Sequence, residues 1–381
     1  MNWRNIKITI LLFSLWISFT NVKIDAQIEQ LKSIKKIDIH THISSDAPSF
    51  RKFLDEYNLK VNTLCTGGID TARMNFRIKM AKDFCNKYPR YYSWVTTFDL
   101  TQRNDPHWTE NVIKKLKDDF DHGAIGVKIW KEIGMKIKDS KGNYIMVDDP
   151  MFDPIFDFIA KEGKTLIAHI GEPIQAWTPD YPKSSGVPLG YWGRHPEFSF
   201  WDKPGKPSYN EIMAARDHVL AKHPDLRFVG AHLGSMSFDV DEIEKRLETY
   251  PNFAVEIGGR MRYMMWQARG KVREFFVKYQ DRIMYGTDLS MGKIVWDGKK
   301  GREATPEKVK SFIERWKYRY KLFFTYLATE DEIPWGNHII GDKPLPEPTY
   351  KVKGIALPKD VLEKIYYKNS VKWFPGVEKD F

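Results

Sequence analysis

KIDIHTHI, residues 36–43, is an apolar run that carries Asp38, His40 and His42 at alternate positions. Side chains at i, i+2 and i+4 of a strand share a face. The spacing therefore places these three together, with Ile37, Ile39, Thr41 and Ile43 on the opposite face. One face is then apolar and the other carries residue types that bind metals. A single buried histidine is ordinarily a hydrogen-bonded core residue. Two spaced to converge, with a carboxylate behind them, point to a site.

The run extends over 35–43, and seven more β-branched or apolar runs follow it, at 59–66, 91–98, 124–130, 164–170, 226–233, 252–258 and 282–288. Between them lie amphipathic stretches such as ENVIKKLKDDFDHG and YNEIMAARDHVLAKHP, several of which close on Gly or Pro as helices do. Strand–helix alternation repeated eight times predicts an α/β protein of the (β/α)8 TIM-barrel class. A doubly wound sheet is the alternative, but its usual glycine-rich first turn is missing. Barrel active sites form at the C-terminal ends of the strands. The polar residues fall there: His40 and His42 on the first strand, Lys128 on the fourth, His169 on the fifth, His232 on the sixth and Asp288 on the eighth.

With 381 residues, 42% of them apolar and 14% aromatic, the chain can bury one large core. Basic MNWRNIK, apolar ITILLFSLWISF and a polar stretch to Ala26 read as a signal peptide over 1–26, ahead of a single domain over 27–381. The apolar run is too short to span a bilayer, so export without a stable membrane anchor is expected. Cys65 and Cys85 are the only cysteines, which excludes a disulfide scaffold and a cysteine-rich metal site. A net charge of +10 suits an anionic small-molecule substrate. Much of that charge, as in KKLKDDFDH, is nevertheless interleaved with acids and reads as solvated helix surface. No nucleic-acid motif, glycine-rich phosphate loop or GxSxG elbow is present, so neither a nucleic-acid partner nor a serine nucleophile is expected.

The ordered set His40-Thr-His42, AHIGEP with His169, GAHLGS with His232 and YGTDLS with Asp288, closed by VLEKIYYKNSVKWF, resembles the amidohydrolase superfamily and specifically its amidohydrolase-2 group. The resemblance implies a metal-dependent barrel, a divalent ion that is usually zinc, hydrolysis or non-oxidative decarboxylation, and a homodimer. The residues themselves agree, because neutral imidazoles with a carboxylate suit Zn²⁺, with Mn²⁺ as an alternative, and a position left for water makes such a site catalytic. His40, His42, His169 and Asp288 are assigned as ligands of one ion. By resemblance, Asp288 also takes a proton from the attacking water. His232 is assigned to polarise the substrate carbonyl and protonate the departing group. Asp38 is given the orientation of the His40 imidazole, with a structural role as the alternative. Lys128 reads as the holder of a substrate carboxylate, the resemblance also offering a carbamylated lysine that bridges two ions. Glu172, Trp177, His195 and Arg260 are further substrate-binding candidates, Arg260 as a bidentate clamp. Residues 177–209, rich in Pro, Gly and aromatics, read as a lid. The function expected is that of an exported metal-dependent hydrolase of an amide or lactone, with decarboxylation of an aromatic or unsaturated acid as the alternative.

Overall fold

The structure is a computed structural model that describes residues 29–178, 195–292, 304–335 and 350–381. The signal peptide read at 1–26 and residues 179–194 of the lid segment lie outside the described residues. The barrel strands are β1 (Lys36–Ile43), β2 (Leu59–Leu64), β3 (Tyr92–Val95), β4 (Gly126–Ile129), β5 (Thr165–Ala168), β6 (Arg227–Gly230), β7 (Phe253–Glu256), β8 (Ile283–Met284) and β9 (Leu289–Met291). They pair in parallel in the orders β3-β2-β1-β9 and β4-β5-β6-β7-β8. Two seams join these arcs. At the first, the Thr96 N–H donates to Gly126 O at 3.0 Å and the Lys128 N–H to Thr96 O at 2.6 Å. At the second, β8 lies on β7 while β9, a few residues later, lies on β1. Between these segments Ile39 N–H donates to Tyr285 O and Asp288 N–H to His40 O. The sheet is therefore closed, as the eightfold alternation predicts.

The eighth run was expected unbroken over 282–288, but it divides around Gly286. A Cβ there would come within 2.5 Å of Glu256 Oε2, so the backbone makes room for a buried carboxylate.

Around the barrel stand α1 (Pro48–Glu56), α2 (Thr71–Lys87), α3 (Trp108–Asp121), α4 (Asp153–Lys161), α5 (Tyr209–Lys222), α6 (Val240–Thr249), α7 (Arg269–Lys278) and α8 (Pro306–Ala328). Local sequence sets several of their starts. Asp70 caps α2 through the Arg73 N–H, Ser208 and Glu211 form a capping box on α5, and Pro306 follows the Thr305 cap of α8. Apolar residues such as Phe50, Leu116, Phe156 and Trp316 fill the layer between strands and helices. A second cluster fills the barrel floor, where Ile37, Ile39, Ile167 and Val229 meet Trp373, Phe374 and Val377 of the closing segment. Full burial of each such side chain contributes roughly 1.5–3 kcal/mol. An antiparallel hairpin, β10 (Glu332–Trp335) with β11 (Tyr350–Lys353), follows α8. Among the described residues no helix is long and apolar enough to cross a membrane.

One irregularity in β1 decides where its polar residues point. Asp38 pairs with Val61 but Thr41 with Thr63, so three steps on β1 oppose two on β2. The extra residue is a bulge, and a one-residue slip exchanges the two faces of a strand. Below it Ile37 and Ile39 face the barrel interior, and above it His40 and His42 do. Asp38 is left on the outer face, where it accepts from Tyr320 Oη of α8 at 2.7 Å and from Thr287 Oγ1 at 2.6 Å. The expectation that Asp38 shares a face with the histidines and orients His40 is therefore corrected. Asp38 ties the first strand, the eighth and α8 together.

Candidate metal and substrate site

His40 and His42 reach the barrel mouth with their ring protons already placed. His40 Nδ1–H donates to Glu256 Oε1 at 2.7 Å, and His42 Nδ1–H donates to Leu64 O at 3.1 Å. Carboxylates and carbonyls only accept, so Nδ1 of each ring is the donor and Nε2 is the atom turned to the cavity. Those two Nε2 atoms lie 3.4 and 3.3 Å from a single oxygen, Asp288 Oδ1. Burial would raise the Asp288 carboxyl, but the His42 contact and the nearby His232 and His40 rings outweigh it and hold the group well below the usual range. Two ring nitrogens and a carboxylate oxygen thus converge on one point.

His232 comes to the same place through strained backbone. From His232 to Ser235 four successive residues have positive φ, between 58° and 62°. Left-handed geometry costs a non-glycine residue roughly 1–2 kcal/mol. Two hydrogen bonds hold it, the His232 N–H to Glu256 Oε1 at 2.6 Å and the ring Nδ1–H to Gly258 O at 2.7 Å. Burial pushes the His232 ring down to about 3, so it is neutral with its lone pair on Nε2. One ligand atom from each of His40, His232 and Asp288 lies within 4.8 Å of the others.

His169, at the end of β5, packs its ring 4.4 Å from that of His232. Its Nε2 is buried without a hydrogen-bond partner among the described residues, while Nδ1 accepts from Trp130 Nε1 at 3.1 Å. Burial, with His232 and Lys131 close by, pushes this ring well below its ordinary pKa.

Glu256 is the residue the sequence reading missed. It is fully buried at the end of β7, touches His40 and His232, and accepts from the Gly258 N–H. Burial favours its neutral form, but the two histidines hold it down to about 2. A Cβ on Gly258 would lie 2.6 Å from its Oε2, which explains the glycine there. The available signal was an acid at a strand end followed by two glycines, VEIGG.

These groups open into a cavity of about 860 Å³ that His195, Lys128 and Arg260 also line. Lys128 is 1% exposed and its Nζ has no hydrogen-bond partner among the described residues. Burial lowers it to about 8, with Glu256 and Asp288 opposing the fall. Two expectations need correction. Glu172 is fully buried between Lys131 and Arg260, the latter at 3.1 Å, so its carboxylate serves two cations and does not line the cavity. Trp177 also stays out of the cavity; its indole donates to Pro207 O at 2.9 Å and its ring packs on Phe200 and Tyr209, which anchors the insertion. The cavity wall also contains Arg73 and Arg77 of α2, Glu132 and Lys136, none of which the sequence reading singled out.

The donor set, imidazole nitrogens with a carboxylate oxygen and an orphaned buried Nε2, fits a borderline divalent cation. Among curated proteins no sequence matches the chain. Similar solved structures include 2,6-dihydroxybenzoate decarboxylase from Rhizobium (12% identity, 90% of this chain and 98% of that one, TM-score 0.48). Another is 5-carboxyvanillate decarboxylase from Novosphingobium aromaticivorans complexed with manganese (15%, 86% and 80%, TM-score 0.45). A third is a probable 2-pyrone-4,6-dicarboxylic acid hydrolase from Acinetobacter baumannii (12%, 90% and 99%, TM-score 0.47). The sequence model of the Amidohydrolase family matches residues 37–376, and the chain belongs to that family.

Proposed function

We propose that the protein is a metal-dependent hydrolase that adds water across a C–N or C–O bond, amide or lactone, of a small substrate. One observation carries this reading: two imidazole Nε2 atoms face one carboxylate oxygen while both Nδ1–H groups are spent elsewhere. His40, His42, His169 and Asp288 would hold one ion, zinc by the nature of the donors, with manganese the alternative. When bound, such an ion supplies Lewis acidity and lowers the pKa of a water from 15.7 to about 7.

The chain's own residues do the rest. To hold an ion through Nε2, His169 would carry its ring proton on Nδ1 and would no longer accept from the Trp130 indole. Glu256 keeps His40 in its tautomer and His232 in its turn. His232, neutral with a free Nε2 pair, first accepts a proton and then returns it to the departing nitrogen or oxygen. The water oxygen ends on the acyl carbon, one water proton ends on the leaving group, and Lys128 Nζ donates to a substrate oxygen.

The buried, unpartnered Lys128 favours a second reading, decarboxylation, in which that ammonium holds the leaving carboxylate. Carbon dioxide departs and the carbon that carried it takes one proton from a water, relayed through His232 Nε2, with hydroxide left behind.

Elemental mass spectrometry of the purified protein is expected to find about one divalent ion per chain, lost in His40→Ala and Asp288→Ala. Turnover of an amide and lactone panel by the loaded protein would support hydrolysis. Carbon dioxide release from aromatic acids, abolished in His232→Ala, would replace it with the second reading. A folded protein that stays metal-free in zinc and in manganese would end both.

A further inference from the structure

Resting on the reading of His232 as the proton carrier, we propose that Arg216 of α5 is a positioning residue, which holds the His232 turn in its reactive shape from outside the cavity. Glu256 and Gly258 grip the histidine itself, through its N–H and its ring. The rest of the left-handed run, Leu233 to Ser235, must be held as well, because the ring moves with the backbone that carries it.

The run is pressed onto β6 and β7. A Cβ on Gly230 would lie 2.8 Å from Gly234 Cα and 2.9 Å from the Phe253 ring. Inside the turn, Ser235 N–H donates to His232 O at 3.2 Å and Met236 N–H to Leu233 O at 3.1 Å. The carbonyls of Gly234 and Ser235 are met from α5. Arg216 Nη1 donates to Gly234 O at 2.7 Å, and Tyr209 Oη to Ser235 O at 3.3 Å.

Arg216 is 1% exposed, and a buried guanidinium is costly unless its charge and donors are met. Asp217 meets them. Its Oδ1 accepts from Arg216 Nε at 3.0 Å and Nη2 at 2.6 Å, and its Oδ2 accepts from Arg246 Nε of α6 at 3.0 Å. Two outer helices are thereby tied, through one charged fork, to the carbonyl two residues after His232. Strained backbone persists only where its surroundings over-determine it. Without Arg216, Leu233 and Ser235, with φ of 59° and 62°, gain by relaxing to negative φ, and His232 turns with them.

Hydrogen exchange of the full chain, read by mass spectrometry, and kinetics of the loaded protein test this together. In Arg216→Met the amides of residues 232–236 should exchange about tenfold faster or more, the effect of losing one hydrogen bond to a charged group. Exchange in β2 and β5 and metal content should stay as in wild type. Turnover on the amide, lactone or aromatic acid that the protein accepts should lose about tenfold or more in kcat with KM unchanged, because the proton carrier is displaced while substrate contacts are kept. Arg216→Lys, which retains a donor for Gly234 O, should recover part of both. Asp217→Asn loosens the same fork from a partly exposed position, should show the same pattern severalfold more weakly, and guards against an Arg216→Met chain that does not fold. Exchange that is unchanged at 232–236 or raised evenly along the chain, or kcat retained despite faster local exchange, overturns the proposal. Faster local exchange in a protein with no turnover on either panel would keep Arg216 as the holder of the turn and end the reading of His232 as proton carrier.

Discussion

Lys36 and Lys128 are both buried lysines on barrel strands, one at the floor and one at the mouth. Lys36 Nζ donates to two carbonyls, Leu31 O and Ile34 O, and Lys60 beside it likewise meets Pro89 O and Lys379 O. Lys128 Nζ has no hydrogen-bond partner among the described residues. Cations at the floor carry their acceptors with them, while Lys128 at the mouth has none among the described residues. On the ion side of that mouth the pattern reverses: Glu256 and the carbonyls of Leu64 and Gly258 fix three rings before any ligand arrives. Groups around the histidines find their partners within the chain, whereas Lys128 across the mouth is left short of them among the described residues.

The largest effect expected from this contrast is at Glu256. In Glu256→Gln an amide NH₂ faces N–H donors, and metal affinity should fall about 10–100-fold, as when such orienting partners are removed elsewhere. Competition with a chelating dye measures this; unchanged affinity would mean that His40 and His232 hold themselves. Next come the two lysines, whose replacements should move stability in opposite directions. Lys36→Met strands two carbonyls and should cost about 1–3 kcal/mol. Lys128→Met removes an unpaired buried amine and should leave urea stability equal or higher by about 1 kcal/mol, with about one ion still bound. Loss of metal from Lys128→Met would instead favour a bridging lysine.

A pH series sharpens the floor half of the comparison. Burial lowers Lys36 to about 7 from 10.5. The unfolded chain therefore holds that proton over a range where the folded chain has released it, so this residue makes stability rise with pH from about 7 toward 10.5. The difference in unfolding free energy between wild type and Lys36→Met should grow from pH 7 to pH 9; a flat difference would show the ammonium to be as well solvated inside as out. Trp130→Phe is expected to give the smallest change. It removes the indole donor that His169 releases on ligation, so zinc affinity should rise severalfold at most, the worth of about 1 kcal/mol.

The barrel was legible because strand–helix alternation is written in hydrophobic periodicity, and the meeting of His40, His42, His169, His232 and Asp288 in one cavity was legible because all lie at or near strand ends. Asp38 was misplaced for a physical reason: a bulge leaves no mark on polar–apolar alternation, and KIDIHTHI reads the same whether or not its faces exchange midway. Glu172 and Trp177 were misplaced because charge and aromatic content do not reveal which neighbour claims them. Arg73 and Arg77 were overlooked because an amphipathic helix with basic residues reads as solvated, and only the packing shows which of them turn toward the cavity.

The plug in the barrel floor has a consequence for how the protein is made. Ile37 and Ile39 share one cluster with Trp373, Phe374 and Val377, roughly 330 positions later. Contacts of such separation form late, because loop closure must precede them. A ribosome delivers the first strand long before its cover, so during synthesis the floor stays open and apolar. Chains halted short of Trp373 should therefore depend on chaperones and draw proteases, whereas finished chains seal themselves.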